Sequence, residues 1–225
     1  MGHGSKDIVF LHGWGGSIDS FWGVAQFFCK KYRCILVDFY GFGASPIDRA
    51  LTLQDYCDGV IEVLEYLGVK QICVVGHSFG GRVAMELASK TDKVRSMVLV
   101  DSAGLKPRRT LKKTMRKLKY KIYKALGKST EKCGSKDYRE LSPLMKKTFV
   151  NVVNYHQDGL LHTIHCPVLI VWGKTDKETP KYMAKKLNRG LARSTLIWLK
   201  GGHWCYIESL GDFVKRTMNW LENND

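Results

Sequence analysis

Residues Val74 to Gly81 read Val-Val-Gly-His-Ser-Phe-Gly-Gly, with an apolar strand-like run before them and a helix-like run after them. A chain turns this sharply from strand to helix only by forcing the central residue into a strained, exposed conformation, and the flanking positions must then lack a Cβ. Gly76 and Gly80 supply that clearance. Ser78 between them is the candidate nucleophile. Composition alone would produce Gly-x-Ser-x-Gly on the order of 0.1 times in a chain like this, so the pentapeptide gains weight only from what surrounds it.

Three further segments each supply something that serine chemistry needs. Phe10-Leu11-His12-Gly13-Trp14-Gly15-Gly16 is a strand end running into glycines, where backbone N–H groups can face a developing oxyanion. Trp14 and Phe79 are the expected donors. Val168-Leu169-Ile170-Val171-Trp172-Gly173-Lys174-Thr175-Asp176 is a buried-type strand ending in a turn that carries an acid. Leu199-Lys200-Gly201-Gly202-His203-Trp204 is another strand end, and its loop presents a histidine. Asp176 is thus the candidate acid and His203 the candidate general base.

Nucleophile, acid and base follow one another in the order Ser78, Asp176, His203, each just past a separate strand candidate. With Asp38-Phe39-Tyr40-Gly41-Phe42-Gly43-Ala44-Ser45 as a further loop signature, the chain from Ile8 to Leu221 resembles the α/β-hydrolase family. The match is weakest between residues 105 and 165. The resemblance implies two-step acyl transfer: His203 takes the Ser78 proton, Ser78 attacks a carbonyl, the Trp14 and Phe79 amides hold the oxyanion, and water releases the acyl group. No metal or organic cofactor is implied. A serine at the elbow argues against the branches that need an aspartate there for an alkyl-enzyme ester. Carboxylic-ester cleavage of small to medium acyl groups is the default reading. Thioester or carbon–carbon bond hydrolysis remains open, as does a receptor-like protein with little turnover.

The acid carries an ambiguity, because Asp101 also follows a strand, in Val98-Leu99-Val100-Asp101, and some family members draw the acid from there. Gly-x-x-Asp followed by Pro180 at a helix start favours Asp176, and Asp101 is read as tying its strand end to the cap. His12 and His77 are read as structural hydrogen-bonding residues beneath the oxyanion loop. The Trp14 indole is a candidate substrate-binding wall. His156, His162 and His165 lack companions to complete a metal site, and Cys205 is read as buried packing.

Apolar runs at Ile8 to Leu11, Cys34 to Val37, Ile72 to Val75, Val94 to Val100, Val168 to Trp172 and Thr195 to Leu199 predict six parallel strands buried on both faces. Helical patterns lie between them at Ser20 to Lys30, Leu53 to Leu67, Gly81 to Ser89, Pro180 to Arg189 and Leu210 to Leu221. In the second of these, Thr52 can cap, Asp55 sits three residues on, and Gly68 closes the helix. The alternation predicts an α/β fold, a doubly wound three-layer sandwich whose mostly parallel sheet carries a helical cap. The core is expected from residues 1–104 and 166–225, the cap from 105–165. The family's opening hairpin is missing before Asp7, which predicts an uncovered sheet edge at Cys34 to Asp38.

Charge is concentrated in one place. Between Lys106 and Lys147 sixteen Lys or Arg face three Asp or Glu, a net +13 out of the chain's +15. Leu111, Met115, Leu118, Ile122 and Ala125 recur at helical spacing, so the segment reads as an amphipathic helix with a basic face. Such a face is usually a solvated one; weak attraction to anionic substrates or surfaces is the sharper alternative. Nucleic acid is not expected as a partner, since no binding motif accompanies the charge. Seven cysteines without Cys-x-x-Cys spacing fit reduced thiols in a cytoplasm. No apolar run approaches the ~20 residues of a membrane span. A monomer or dimer acting on a small-molecule ester is the expectation.

Overall fold

The computed structural model describes residues 1–108 and 136–224. Its elements follow in the order β1 (Lys6–Leu11), α1 (Asp19–Phe28), β2 (Tyr32–Val37), α2 (Leu53–Tyr66), β3 (Ile72–His77), α3 (Phe79–Lys90) and β4 (Val94–Val100). The remainder comprises α4 (Lys136–Glu140), α5 (Pro143–Asn154), β5 (Val168–Gly173), α6 (Lys181–Gly190), β6 (Ser194–Leu199), α7 (Cys205–Glu208) and α8 (Leu210–Asn224). The strands form one sheet in the order β2-β1-β3-β4-β5-β6, with every neighbouring pair parallel. Parallel neighbours need crossovers, and the intervening helices provide them.

Side chains alternate across the sheet and divide the core in two. On one face Val9, Leu11, Val74, Leu99 and Ile170 pack with Tyr56 and Val60 of α2, Val83 and Leu87 of α3, and Leu187 of α6. On the other, Ile8, Phe10, Val75, Val98 and Val171 pack with Phe21 and Phe28 of α1 and with Phe213 and Leu221 of α8. Every residue of β3 and β5 is buried, as expected for strands covered on both faces. The edge strands depart from that expectation: β2 and β6 are largely half-buried, because each lacks a neighbour on one side.

Local chemistry sets the helix ends. The Thr52 hydroxyl accepts from the Asp55 amide while the Asp55 carboxylate accepts from the Thr52 amide, so α2 starts on a reciprocal capping box. Gly68 follows its last turn at φ 64°. The edge expected to be bare at residues 34–38 is partly covered. Met1 O accepts from the Cys34 amide at 2.7 Å, and the Met1 ammonium donates to Cys34 O at 2.8 Å. Those residues take the place of a neighbouring strand at that one position.

The link between β4 and β5 holds the insertion. The amphipathic pattern from Leu111 to Ala125 lies outside the described residues. The described part is fastened to the core by buried polar contacts. The Arg82 guanidinium of α3 donates to Val152 O at 3.2 Å and Tyr155 O at 2.7 Å, and the Gln157 amide donates to Gly104 O at 2.9 Å. Burial lowers Arg82 to about 10, leaving it charged at neutral pH. Among the described residues no helix is long and apolar enough to cross a membrane.

The strand order has one consequence for function. From β1 the chain moves outward to β2, then returns to place β3 on the other side of β1, so the loops after β1 and β3 part in opposite directions and leave a crevice at their carboxyl ends. Asp38, just past β2, staples two loops bordering that crevice: Oδ1 accepts from the Ile18 amide at 2.7 Å and Oδ2 from the Ala44 amide at 2.9 Å. Losing two charge-assisted bonds, one of them exposed, should cost about 2 kcal/mol. Asp38→Ala is therefore expected to melt roughly 4–8 °C lower than the parent in a calorimetric scan. An unchanged melting temperature would show that the staple contributes nothing.

Candidate active site

Ser78 occupies the turn between β3 and α3 with φ 49° and ψ −104°, a left-handed conformation that a side chain rarely adopts. Neighbouring backbone holds it there. The Ser78 amide donates to Val100 O at 3.0 Å, and Ser78 O accepts from Gly81 at 3.1 Å and Ala103 at 3.0 Å. The two glycines are sterically required. A Cβ at Gly76 would stand 2.5 Å from Gly80 O, and one at Gly80 would stand 2.0 Å from Leu11 O. Both contacts are with backbone, which cannot swing aside.

The loop after β1 borders this turn, since a Cβ at Gly13 would come within 3.6 Å of Ser78 Cβ. His12 shapes that loop from below: Nδ1 donates to Gly13 O at 2.8 Å and Nε2 accepts from the Phe39 amide at 3.1 Å. This pattern fits the neutral ring, and burial lowers its pKa accordingly. The expected oxyanion donors lie on either side of the turn, Trp14 in the loop after β1 and Phe79 at the first position of α3. The Trp14 indole meets Phe42 at 5.0 Å, Phe79 at 5.4 Å and Phe149 at 5.1 Å between ring centroids, each edge-on. Phe149 belongs to α5, so the insertion contributes to the aromatic wall.

At the carboxyl end of β5, Asp176 and His203 meet. His203 Nδ1 donates to Asp176 Oδ2 at 2.9 Å. The carboxylate also accepts from the Glu178 amide at 2.7 Å, the Thr179 amide at 3.1 Å and the Thr179 hydroxyl at 2.5 Å. Burial alone would raise the Asp176 pKa. The bonds from His203 and Thr179 outweigh burial and hold the carboxyl below its ordinary range. For His203 burial pulls downward, but the Asp176 hydrogen bond prevails and lifts the imidazole above its usual value. His77 lies beside it, with ring centroids 4.9 Å apart and its Nε2 donating to His203 O at 2.7 Å. Burial drops His77 to about 3, so it stays neutral and structural.

Ser78, Asp176 and His203 thus sit on adjoining loops at one end of the sheet, with Asp176 and His203 hydrogen-bonded. Ser78 and His203 make no hydrogen bond in this structure. The base's other nitrogen, Nε2, instead faces Glu178 Oε2 at 3.4 Å. Catalytic bonds of unliganded enzymes are often open in this way and close only around substrate.

Among the described residues Asp101 bonds to β5 and the acid loop, not to the cap as expected. Its Oδ1 accepts from the Gly173 amide at 2.7 Å and its carbonyl from the Thr179 hydroxyl at 3.1 Å, which binds β4 to β5 and to the acid loop. It is fully buried at φ 43°, and burial raises it to about 7. The Cys205 thiol, also buried, is pushed up by burial. His156, His162 and His165 are all exposed, and among the described residues no group of three or more His, Cys, Asp or Glu side chains is arranged to hold a metal.

Phe42, Phe149, Glu178 and Thr179 went unassigned in the sequence. Phe42 lies in a loop whose glycines are visible there, and Thr179 stands three residues after the acid. Nothing in the sequence marks Phe149 or Glu178.

A family model described as alpha/beta hydrolase fold matches residues 7–136. A pimeloyl-[acyl-carrier protein] methyl ester esterase of Yersinia pseudotuberculosis is 26% identical, across 99% of this chain and 96% of that protein. An uncharacterized hydrolase of Bacillus subtilis, YugF, is 27% identical across 94% of this chain and 91% of its own length. Among solved structures, a meta-cleavage product hydrolase from Pseudomonas fluorescens superposes with a TM-score of 0.76 at 20% identity, covering 100% of this chain and 93% of that one. At that identity the likeness is one of fold.

If Asp176 serves His203, Asp176→Asn should lower kcat by about 10⁴-fold, the loss associated with changing a triad aspartate to its amide. Asp101→Asn should cost far less, and the opposite ranking would move the acid to β4. A raised His203 pKa also places the acid limb of kcat/KM above pH 6.5, the ordinary imidazole value, because the ring must be neutral to accept a proton. A limb below that value would contradict the assignment.

Proposed function

The chain belongs to the α/β hydrolase fold family, and we propose that within it this protein is a serine esterase, cleaving carboxylic esters of small to medium acyl groups through an acyl-enzyme. One observation carries the reading above all: a strained serine at the strand-to-helix turn beside a His203–Asp176 pair at 2.9 Å. Transfer of the Ser78 proton to His203 Nε2 frees Oγ to attack the carbonyl carbon. The resulting alkoxide is held by the Trp14 and Phe79 amides, in a site where preorganised donors need no rearrangement. Collapse expels the alcohol, which takes the proton from Nε2. Water then repeats the cycle on the acyl-enzyme.

The ester, as opposed to a thioester or carbon–carbon bond, is supported by the relative named a methyl ester esterase, and the aromatic wall of Trp14, Phe42 and Phe149 suits an apolar acyl chain. Residues 105–165 act as the cap in this reading. The described cysteines are free thiols, in keeping with a cytoplasmic protein. Ser78→Ala should abolish multiple-turnover release of p-nitrophenol from short-chain esters while leaving the circular-dichroism spectrum unchanged. Wild-type turnover in that variant would end the proposal, and stoichiometric capture without a steady state would favour a receptor.

Weak attraction of anionic groups by the basic stretch from Lys106 to Lys147 belongs to the same proposal. For an ester acidic on its acyl side, kcat/KM should fall as salt rises from 0.01 M, where the Debye length is ~30 Å, to 0.15 M, where it is ~8 Å. A neutral ester should barely respond. Equal responses, with no binding to anionic vesicles, would return the basic stretch to a solvated face.

A further inference from the structure

Resting on the esterase reading, we propose that Glu178 determines leaving-group specificity, favouring esters of cationic alcohols, such as amino or quaternary ammonium alcohols, over neutral ones. The geometry starts at the base. His203 Nε2 is the nitrogen that must hand a proton to the departing oxygen, so whatever stands next to it on the open side borders the space the alcohol leaves through. The group standing there is a carboxylate, with Glu178 Oε2 at 3.4 Å.

The position of Glu178 is not accidental to its rotamer. Its amide is anchored on Asp176 Oδ1 at 2.7 Å, and the next residue, Thr179, is buried with its carbonyl bonded to the Trp172 indole at 2.8 Å. The loop that fixes the triad acid therefore also fixes where the Glu178 side chain starts. That side chain is 69% exposed, so its carboxylate stands in solvent beside the base without the cost of burying a charge. A carboxylate beside the proton-donating nitrogen attracts an ammonium group on the departing alcohol by charge. An anionic leaving group would meet repulsion at the same place. The positive charge of the Lys106 to Lys147 stretch acts on encounter and is screened over about 8 Å at 0.15 M salt, whereas Glu178 acts at contact.

The test compares butyrylcholine with its neutral isostere, 3,3-dimethylbutyl butyrate, at 0.15 M salt. Wild-type kcat/KM should favour the choline ester by up to about fivefold, as one exposed ion pair allows. Glu178→Gln should bring the ratio to about 1, and Glu178→Asp should leave it between the two. A second readout is the acid limb of the neutral ester's kcat/KM. His203 faces Asp176 and Glu178, with buried Asp101 and neutral His77 behind it, so removing the Glu178 charge should move the limb to lower pH. Equal wild-type rates on the two esters, or a preference that survives in Glu178→Gln, would overturn the inference while p-nitrophenyl butyrate turnover still upheld the esterase reading. Absence of Ser78-dependent turnover on all three esters would overturn both.

Discussion

The turn between β3 and α3 is the constraint on which the site depends. A serine at φ 49° persists only because its amide and carbonyl are bonded to Val100, Gly81 and Ala103, and because Gly76 and Gly80 leave no Cβ to collide with Gly80 O and Leu11 O. Strain of this kind costs of order 1–3 kcal/mol and must be held by its surroundings. Here the surroundings are two parallel strands, β1 and β4, hydrogen-bonded on either side of β3. The sheet order places the loop after β1 beside that serine. The nearness of Ser78 to the loop that carries Gly13 and Trp14 is therefore a consequence of one topological fact.

The proposed acid and base are supported differently, by polar bonds instead of steric exclusion. Asp176 accepts four hydrogen bonds, and Thr179, which makes two of them, is itself held by Asp101 and Trp172. Asp101 thus bears on the site without touching His203 through a hydrogen bond. It locks the end of β4 to the acid loop. A fully satisfied carboxylate keeps its charge and its orientation, and these are what an imidazole needs in order to accept a proton at Nε2 and keep the correct tautomer.

Most of this arrangement was legible in the sequence. Each of the six strands was visible as an apolar run, because a parallel sheet covered on both faces leaves no polar alternation to confuse the pattern. Gly-x-Ser-x-Gly, the His-Gly loop and the late Asp and His were legible because each needs particular residue types at fixed spacing. Asp101 was misjudged in its partner, since a sequence shows that a strand ends in an acid but not which neighbouring strand will accept it. Phe149 and Glu178 were invisible for a related reason: their roles come from contacts across the chain, with Trp14 and His203, and no local pattern encodes them. The covering of the β2 edge by Met1 depends on a pairing 33 residues apart and was equally hidden.

The most direct test of the account is to trap the acyl group. Rapid quenching of the protein with a slowly deacylating p-nitrophenyl ester, followed by proteolysis and mass spectrometry, should show a burst of p-nitrophenol equal to the protein concentration and an acyl mass on the peptide bearing Ser78. An acyl mass on another residue, or turnover with no covalent species and no burst under conditions where deacylation limits the rate, would contradict it.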